Sequence, residues 1–358
     1  MRSCRHGHDH PGQVAYGSIR RKVIAMTERT LYERLAEQVG AGDSKIIAAI
    51  FETLAGDEEA RVLLAAAPPA SVEEISERTG MGAGDVEKMI DPLFRKGLLF
   101  KAKKKEGTRY YRARHLLQLH DSTAVANDAS REMLDLWKRF METDWADFSK
   151  KVEEILPGSV IRVIPVNVSI DSNSQILAFE DVRELVASAR SLAVTKCSCR
   201  VISGGCGKPL EVCLQLDRAA DYAIERGTGK RLSKEEALSM LKMCEEEHLV
   251  HVAENKRASG NVICNCCADC CMNWASLRTG LGKFCAPSRF RALVGVEACN
   301  GCQECLDVCF FDALGMDSQG GVAAVDAAKC MGCGLCQAAC PIDAISMQVA
   351  RPEEFVPG

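Results

Sequence analysis

The strongest constraint on this chain is a cysteine run written twice. Cys299, Cys302, Cys305 and Cys309 follow the spacing C-x2-C-x2-C-x3-C, and Cys330, Cys333, Cys336 and Cys340 repeat it, each 31 positions after its counterpart. The match extends beyond cysteine, since Asp312-Ala313-Leu314 is answered by Asp343-Ala344-Ile345, which marks an internal duplication. Three thiolates two residues apart on one backbone turn can cap three irons of a cubane, so the fourth iron needs a ligand from elsewhere. Zinc also accepts four cysteines, but its sites are built from pairs of pairs. An evenly spaced third cysteine and a delayed fourth, duplicated, point to iron and sulfide instead.

The module closely resembles the two-cluster bacterial ferredoxins, in which the fourth cysteine of each run ligates the other cluster. That resemblance implies two [4Fe-4S] clusters, one on Cys299, Cys302, Cys305 and Cys340 and the other on Cys330, Cys333, Cys336 and Cys309. Pro341 fits the family pattern, and Phe310 stands where Pro is usual without removing a ligand. Clusters of this ligation sit at low potential, on the order of −400 mV.

A less familiar set lies upstream: Cys197 and Cys199 in K-C-S-C-R, then Cys206, Cys213, and five thiols in eight residues at Cys264, Cys266, Cys267, Cys270 and Cys271. Thiols packed that closely in a reducing cell either bind a soft metal or remain reactive. A further metal centre, an additional iron–sulfur cluster, is therefore expected, as one cubane or as two adjacent centres. The C-x-C-R and N-C-C-x-x-C-C segments, joined by FCAPSRF to the duplicated run, resemble a set of iron–sulfur proteins of anaerobes over about residues 160–358. Arg200 reads equally as a hydrogen-bond donor to an anionic cluster or as a surface residue, and Cys285 equally as structural or ligating.

The 358-residue chain holds 20 cysteines, nineteen of them from Cys197 onward. A disulfide framework belongs to short secreted chains with a signal peptide. Here the opening MRSCRHGHDHPG has no apolar run behind it, and no stretch reaches the ~18 apolar residues of a membrane span. A cytoplasmic location is expected. A formal net charge of −4 gives no overall basic field for nucleic acid, though it leaves room for a local basic patch.

At this length two to four domains are expected, because single domains run to about 100–200 residues. The expected fold class is α+β multidomain, with a winged helix-turn-helix, a cysteine-rich α/β central domain and a C-terminal ferredoxin-like dicluster domain. Residues 1–26 read as a flexible leader, and Met26 begins a natural-looking start. Cys4, His6, His8 and His10 fall in that leader without a supporting shell for a metal.

Residues 27–120 resemble the winged-helix domains of bacterial and archaeal regulators. Ser71 with Glu74 forms a capping box, a turn follows at Gly80–Gly84, and Val86, Met89, Ile90, Leu93 and Phe94 give the next helix its core face. Two strands then surround a Lys-rich tip closed by Glu106-Gly107. Residues 121–158 read as a charged amphipathic helical linker. Residues 159–290 form the cysteine-rich domain, with a strand over 160–170, a helix over 180–191 and a capped helix carrying Cys244, which reads as core. Residues 291–358 form the ferredoxin domain.

The leading functional reading is an electron-transfer subunit of an oxidoreductase rather than a stand-alone enzyme, relaying low-potential electrons to and from redox partner proteins. No flavin or nicotinamide fingerprint is present, since Gly204, Gly205 and Gly207 sit between cysteines and not between a strand and a helix. The alternative is a redox-sensing winged-helix transcriptional regulator. Asp85, Glu87, Lys88 and Asp91 on the recognition helix argue against DNA. The wing cations Lys101, Lys103, Lys104, Lys105, Arg109, Arg112 and Arg114 argue for it. An enzyme using a thiol-bound centre as its substrate site is a third, minority reading.

Overall fold

A computed structural model describes residues 29–166, 176–258, 260–274 and 283–358. The leader over 1–26 and the end of the strand expected over 160–170 lie outside the described residues. Five helices come first: α1 Leu31–Gln38, α2 Lys45–Leu54, α3 Asp57–Ala65, α4 Val72–Thr79 and α5 Ala83–Arg95. The start of α4 follows its local chemistry. Ser71 Oγ accepts from the Glu74 amide at 3.3 Å while the Glu74 carboxylate accepts from the Ser71 amide at 2.9 Å, so two orphan donors are satisfied reciprocally. Gly80 ends the helix at φ +73, a conformation that costs a Cβ-bearing residue energy.

Strands β1 Leu99–Lys104 and β2 Gly107–Arg112 form a tight antiparallel hairpin with Lys104 opposite Gly107. Helices α6 Leu116–Thr123, α7 Arg131–Thr143 and α8 Trp145–Ile155 follow. Asp144 breaks the long amphipathic stretch between α7 and α8. The apolar side of these helices is packed: Met133, Trp137, Phe140 and Trp145 share one core with Leu35, Ile47, Phe51 and Leu63. Trp137 Nε1 donates to Thr123 Oγ1 at 3.1 Å, which satisfies the one polar atom that the buried indole brings with it.

The central region is built on a seven-stranded sheet. Its elements are β3 Ile161–Ile164, α9 Val182–Ser188, β4 Leu192–Lys196, α10 Ser198–Ser203, β5 Glu211–Leu216, α11 Arg218–Arg226, β6 Gly229–Arg231, α12 Lys234–Glu246, β7 Val250–Glu254, β8 Val262–Cys266 and β9 Cys285–Ala286. The strand order is β6-β4-β5-β8-β7-β3-β9, with only the β3–β9 pair parallel. The helix expected over 180–191 stops at Ser188. The run Leu192-Ala193-Val194-Thr195 that follows pairs with β5 and β6 as an interior strand, a place that suits apolar and β-branched residues.

The two faces of the sheet separate its side chains. Ile164, Leu214 and Ile263 pack under α9 and α12 with Val182, Val186 and Leu241. Val163, Val250, Val252 and Cys266 point the other way, into a core shared with the C-terminal domain. Helix α11 binds the central region to the hairpin. Buried Arg226 donates from Nε to the Phe94 carbonyl at 2.8 Å and from Nη2 to the Leu99 carbonyl at 3.0 Å, and its guanidinium lies 4.3 Å from the centre of the Phe100 ring.

The C-terminal part contains β10 Phe290–Val294, α13 Glu304–Asp307, β11 Leu314–Met316, β12 Ala323–Val325, α14 Leu335–Ala338 and β13 Ile345–Val349. Strand β10 pairs with β13 and β11 with β12, both antiparallel. The duplication is written into the backbone as well as the cysteines. Positive φ recurs at positions 31 apart, at Gly301 and Gly332, Gln303 and Gly334, and Asp312 and Asp343. No helix among the described residues is long and apolar enough to cross a membrane.

Removing the Trp137 side chain would empty the centre of the N-terminal core and strand the Thr123 hydroxyl. Trp137→Ala is expected to cost about 3–5 kcal/mol, read as a lower urea midpoint of the far-ultraviolet helical signal. A midpoint within error of the parent would contradict the packing described.

Candidate metal centres

In the C-terminal part, short helices carry cysteines past two small hollows. Cys299, Cys302 and Cys305 line one of them together with Cys340 from the second run. Cys330, Cys333 and Cys336 line the other together with Cys309 from the first. Each hollow thus brings together three neighbours in sequence and one distant residue. Backbone amides reach the sulfurs, with Ala323 N–H donating to Cys299 Sγ at 3.5 Å and Ala344 N–H to Cys340 Sγ at 3.2 Å.

Glycine is required where the loops turn tightest. A Cβ at Gly332 would run into the Phe290 carbonyl and Ser288 Oγ, and one at Gly301 would come 2.7 Å from the Gly321 carbonyl. The two hollows differ in depth. Cys302 is exposed, whereas Cys330 and Cys336 are buried. The deeper loop is tied to the central region by Val166 N–H to the Cys333 carbonyl at 2.9 Å, Ser288 N–H to the Met331 carbonyl at 3.0 Å, and Ser288 Oγ to the Gly332 carbonyl at 2.6 Å.

Burial pushes the Cys333 thiol up to about 12 and raises Cys336 as well. Left alone, these groups stay protonated. A cationic iron core reverses that preference and makes the thiolate the stable form.

The nine central cysteines fall into two groups. Side-chain contacts run from Cys197 to Cys199, then to Cys271, Cys266, Cys264 and Cys213. Gln215 Nε2 donates to Cys213 Sγ at 3.1 Å. Thiol hydrogen bonds from Cys199 and Cys266 hold Cys271 down at about 6. These six sulfurs border a cavity of about 430 Å³ that Cys267 and Cys270 also line, and its other walls include Arg200, Gln118 and Asp121 of α6, and His115 at the start of that helix.

The second group is Cys206, Cys267 and Cys270. Their sulfurs all lie within 4.8 Å of one another, and Cys267 Sγ is 3.8 Å from Cys206 Sγ. Burial raises Cys270 to about 12. The motif N-C-C-x-x-C-C is therefore split down its middle: Cys266 and Cys271 join the core shared with the C-terminal domain, while Cys267 and Cys270 join a small separate core with Val212, Cys244 and Leu249.

Arg200 lies on α10 and is buried, so its reading as a surface residue falls. It donates to the Pro209 carbonyl, donates to the Asn265 carbonyl at 3.1 Å, and approaches the Cys267 thiol. Cys285 is buried, its Sγ 3.7 Å from the Ala286 carbonyl. Cys244 is buried on α12, with Sγ 3.6 Å from Met240 Sδ.

Sequence reasoning passed over the residues that hold this motif. His251 Nδ1 lies 2.5 Å from Asn265 Oδ1 and His251 Nε2 lies 3.2 Å from Glu245 Oε1, and Asn265 Nδ2 donates to the Val212 carbonyl at 2.5 Å. The available signal was a histidine at a buried position of a strand that otherwise reads as core.

A family model described as a 4Fe-4S dicluster domain matches residues 298–344. Neither a search of curated proteins nor one of solved structures finds a match. Residues 298–344 are thus a 4Fe-4S dicluster domain within a mixed α/β chain, and the cysteines of both hollows fall inside that span.

Gly332→Ala tests the fit of the deeper hollow. The added methyl displaces the loop between Cys330 and Cys333, and about half of the domain's iron should be lost while the other cluster persists. Unchanged iron content would contradict the requirement for glycine.

Proposed function

We propose that this chain is an electron-transfer subunit or partner of an oxidoreductase, relaying low-potential electrons through clusters held by Cys299, Cys302, Cys305 and Cys340 and by Cys330, Cys333, Cys336 and Cys309. A further iron–sulfur centre on the central group of Cys197, Cys199, Cys213, Cys264, Cys266 and Cys271 would extend the relay. The observation that carries this reading is one apolar core running from Cys266, Cys271 and Trp274 to Cys330 and Cys336 and on to Cys305. Electrons entering at the central cavity would cross the deeper cluster and leave by the one whose Cys302 is exposed. The protein's part is to fix the spacing of the centres and keep water from them, and the electron chemistry belongs to the clusters.

The regulator reading has less behind it. On α5, Asp85 pairs with Lys88 and Asp91 with Arg95. On the hairpin, Lys101 pairs with Glu225 of α11, Arg109 with Glu74, and Arg112 with Gln38. Of the cations on β1, β2 and their turn, Lys103, Lys104 and Lys105 remain exposed. A winged-helix-like module whose hairpin is pinned to its own chain suits docking to a protein better than a DNA groove.

Anaerobically purified protein is expected to carry about twelve irons with matching sulfide, eight of them in the C-terminal domain. About eight would leave the central group empty of iron, and fewer than four would remove the relay. Binding to random duplex DNA should be absent even at low salt, where phosphate contacts are strongest. Salt-sensitive binding in a mobility-shift assay would restore the regulator.

A further inference from the structure

We propose that Cys206, Cys267 and Cys270 form a separate site for a single divalent zinc ion, distinct from any iron–sulfur centre. The inference rests on the reading above only in assigning iron to the other central thiols. The argument begins with spacing. Thiolates sharing one tetrahedral ion, each about 2.3 Å from it, stand about 3.8 Å apart. Cys206 and Cys267 are already at 3.8 Å, and all three sulfurs lie within 4.8 Å of one another.

Cubane ligands are different, because each thiolate caps another corner of the cube and points outward, which forces the sulfurs further apart. No three cysteines of the two C-terminal hollows have their sulfurs within 4.8 Å of one another. Among the described residues, only Cys206, Cys267 and Cys270 come together as closely as ligands of one ion do.

Charge and burial agree. Three thiolates around a divalent ion leave one negative charge, and the buried Arg200 guanidinium beside Cys267 supplies one positive charge. Its buried Nε has no hydrogen-bond partner, which leaves a donor for a thiolate. Without a cation these sulfurs stay as thiols among Val212, Cys244 and Leu249, and an ion makes the thiolates the stable form.

Placement agrees as well. Cys267 and Cys270 sit between Cys266 and Cys271 in sequence yet face another core. An ion there would fix the turn 267–270. Zinc has no redox chemistry, so it would serve as a staple, leaving the other face to electron traffic.

The test is zinc and iron analysis of the full chain, purified without oxygen, beside Cys206→Ser, Cys270→Ser and Cys264→Ser. The expected result is about one zinc per chain in the parent, lost in Cys206→Ser and Cys270→Ser with iron unchanged. In Cys264→Ser zinc should stay and iron should fall. Loss of iron from the Cys206 or Cys270 variants, or zinc retained in both, would overturn the site.

The C-terminal cluster signal in electron paramagnetic resonance reports whether each variant still folds. Should neither fold, cobalt decides alone. Protein produced with cobalt should show the visible bands of a tetrahedral cobalt thiolate, and their absence would overturn the proposal. Failure of the relay reading, with C-terminal iron missing, would leave the zinc result standing and is thereby distinguishable.

Discussion

A thiolate buried in protein is unstable unless a cation lies beside it, and this chain buries or half-buries eighteen of its nineteen cysteines from Cys197 onward. That constraint organises the C-terminal half. Cys333, Cys336 and, in the central region, Cys270 are pushed upward by burial, and Cys197 by its hydrogen bond with Cys199 and then by burial. Metal reverses each of these penalties, so folding and metal loading are coupled. The loops around the hollows support this coupling. Their left-handed turns at Gly301 and Gly332 aim amides and cysteines inward, and the Cβ of any other residue at Gly332 would strike Ser288 and Phe290.

The rest of the chain holds these centres in one piece. Arg226 joins α11 to the hairpin, while Val166 and Ser288 join the deeper hollow to the sheet. The N-terminal core takes in Ile202, Met272 and Phe284 from the cysteine-rich region. The helical module thus shares its core with the cysteine-rich sheet.

The duplicated run was legible because its information is local. Ligand spacing, the glycines between the cysteines and the Asp312 and Asp343 turns all lie within a few residues of the sites they shape. The capping box at Ser71 was legible for the same reason. The partition of Cys264 to Cys271 was not. It depends on β8 ending at Cys266 between β5 and β7 and on Cys267 and Cys270 then packing with Val212 and Leu249, contacts that are distant in sequence. The burial of Arg200 depends on the carbonyls of Pro209 and Asn265, and nothing in C-S-C-R announces it. Strand β4 was hidden behind a helical pattern that ran into it, and the boundary was decided by pairing with β5.

The proposed relay rests on two clusters sitting side by side in crossed sets of cysteines. Electron paramagnetic resonance of the fully reduced, frozen protein tests it most directly. Two reduced clusters in neighbouring hollows must interact magnetically, giving a broadened, split spectrum that integrates to about two spins for the pair. A single narrow signal integrating to one spin, or no signal at all after reduction, would contradict the account.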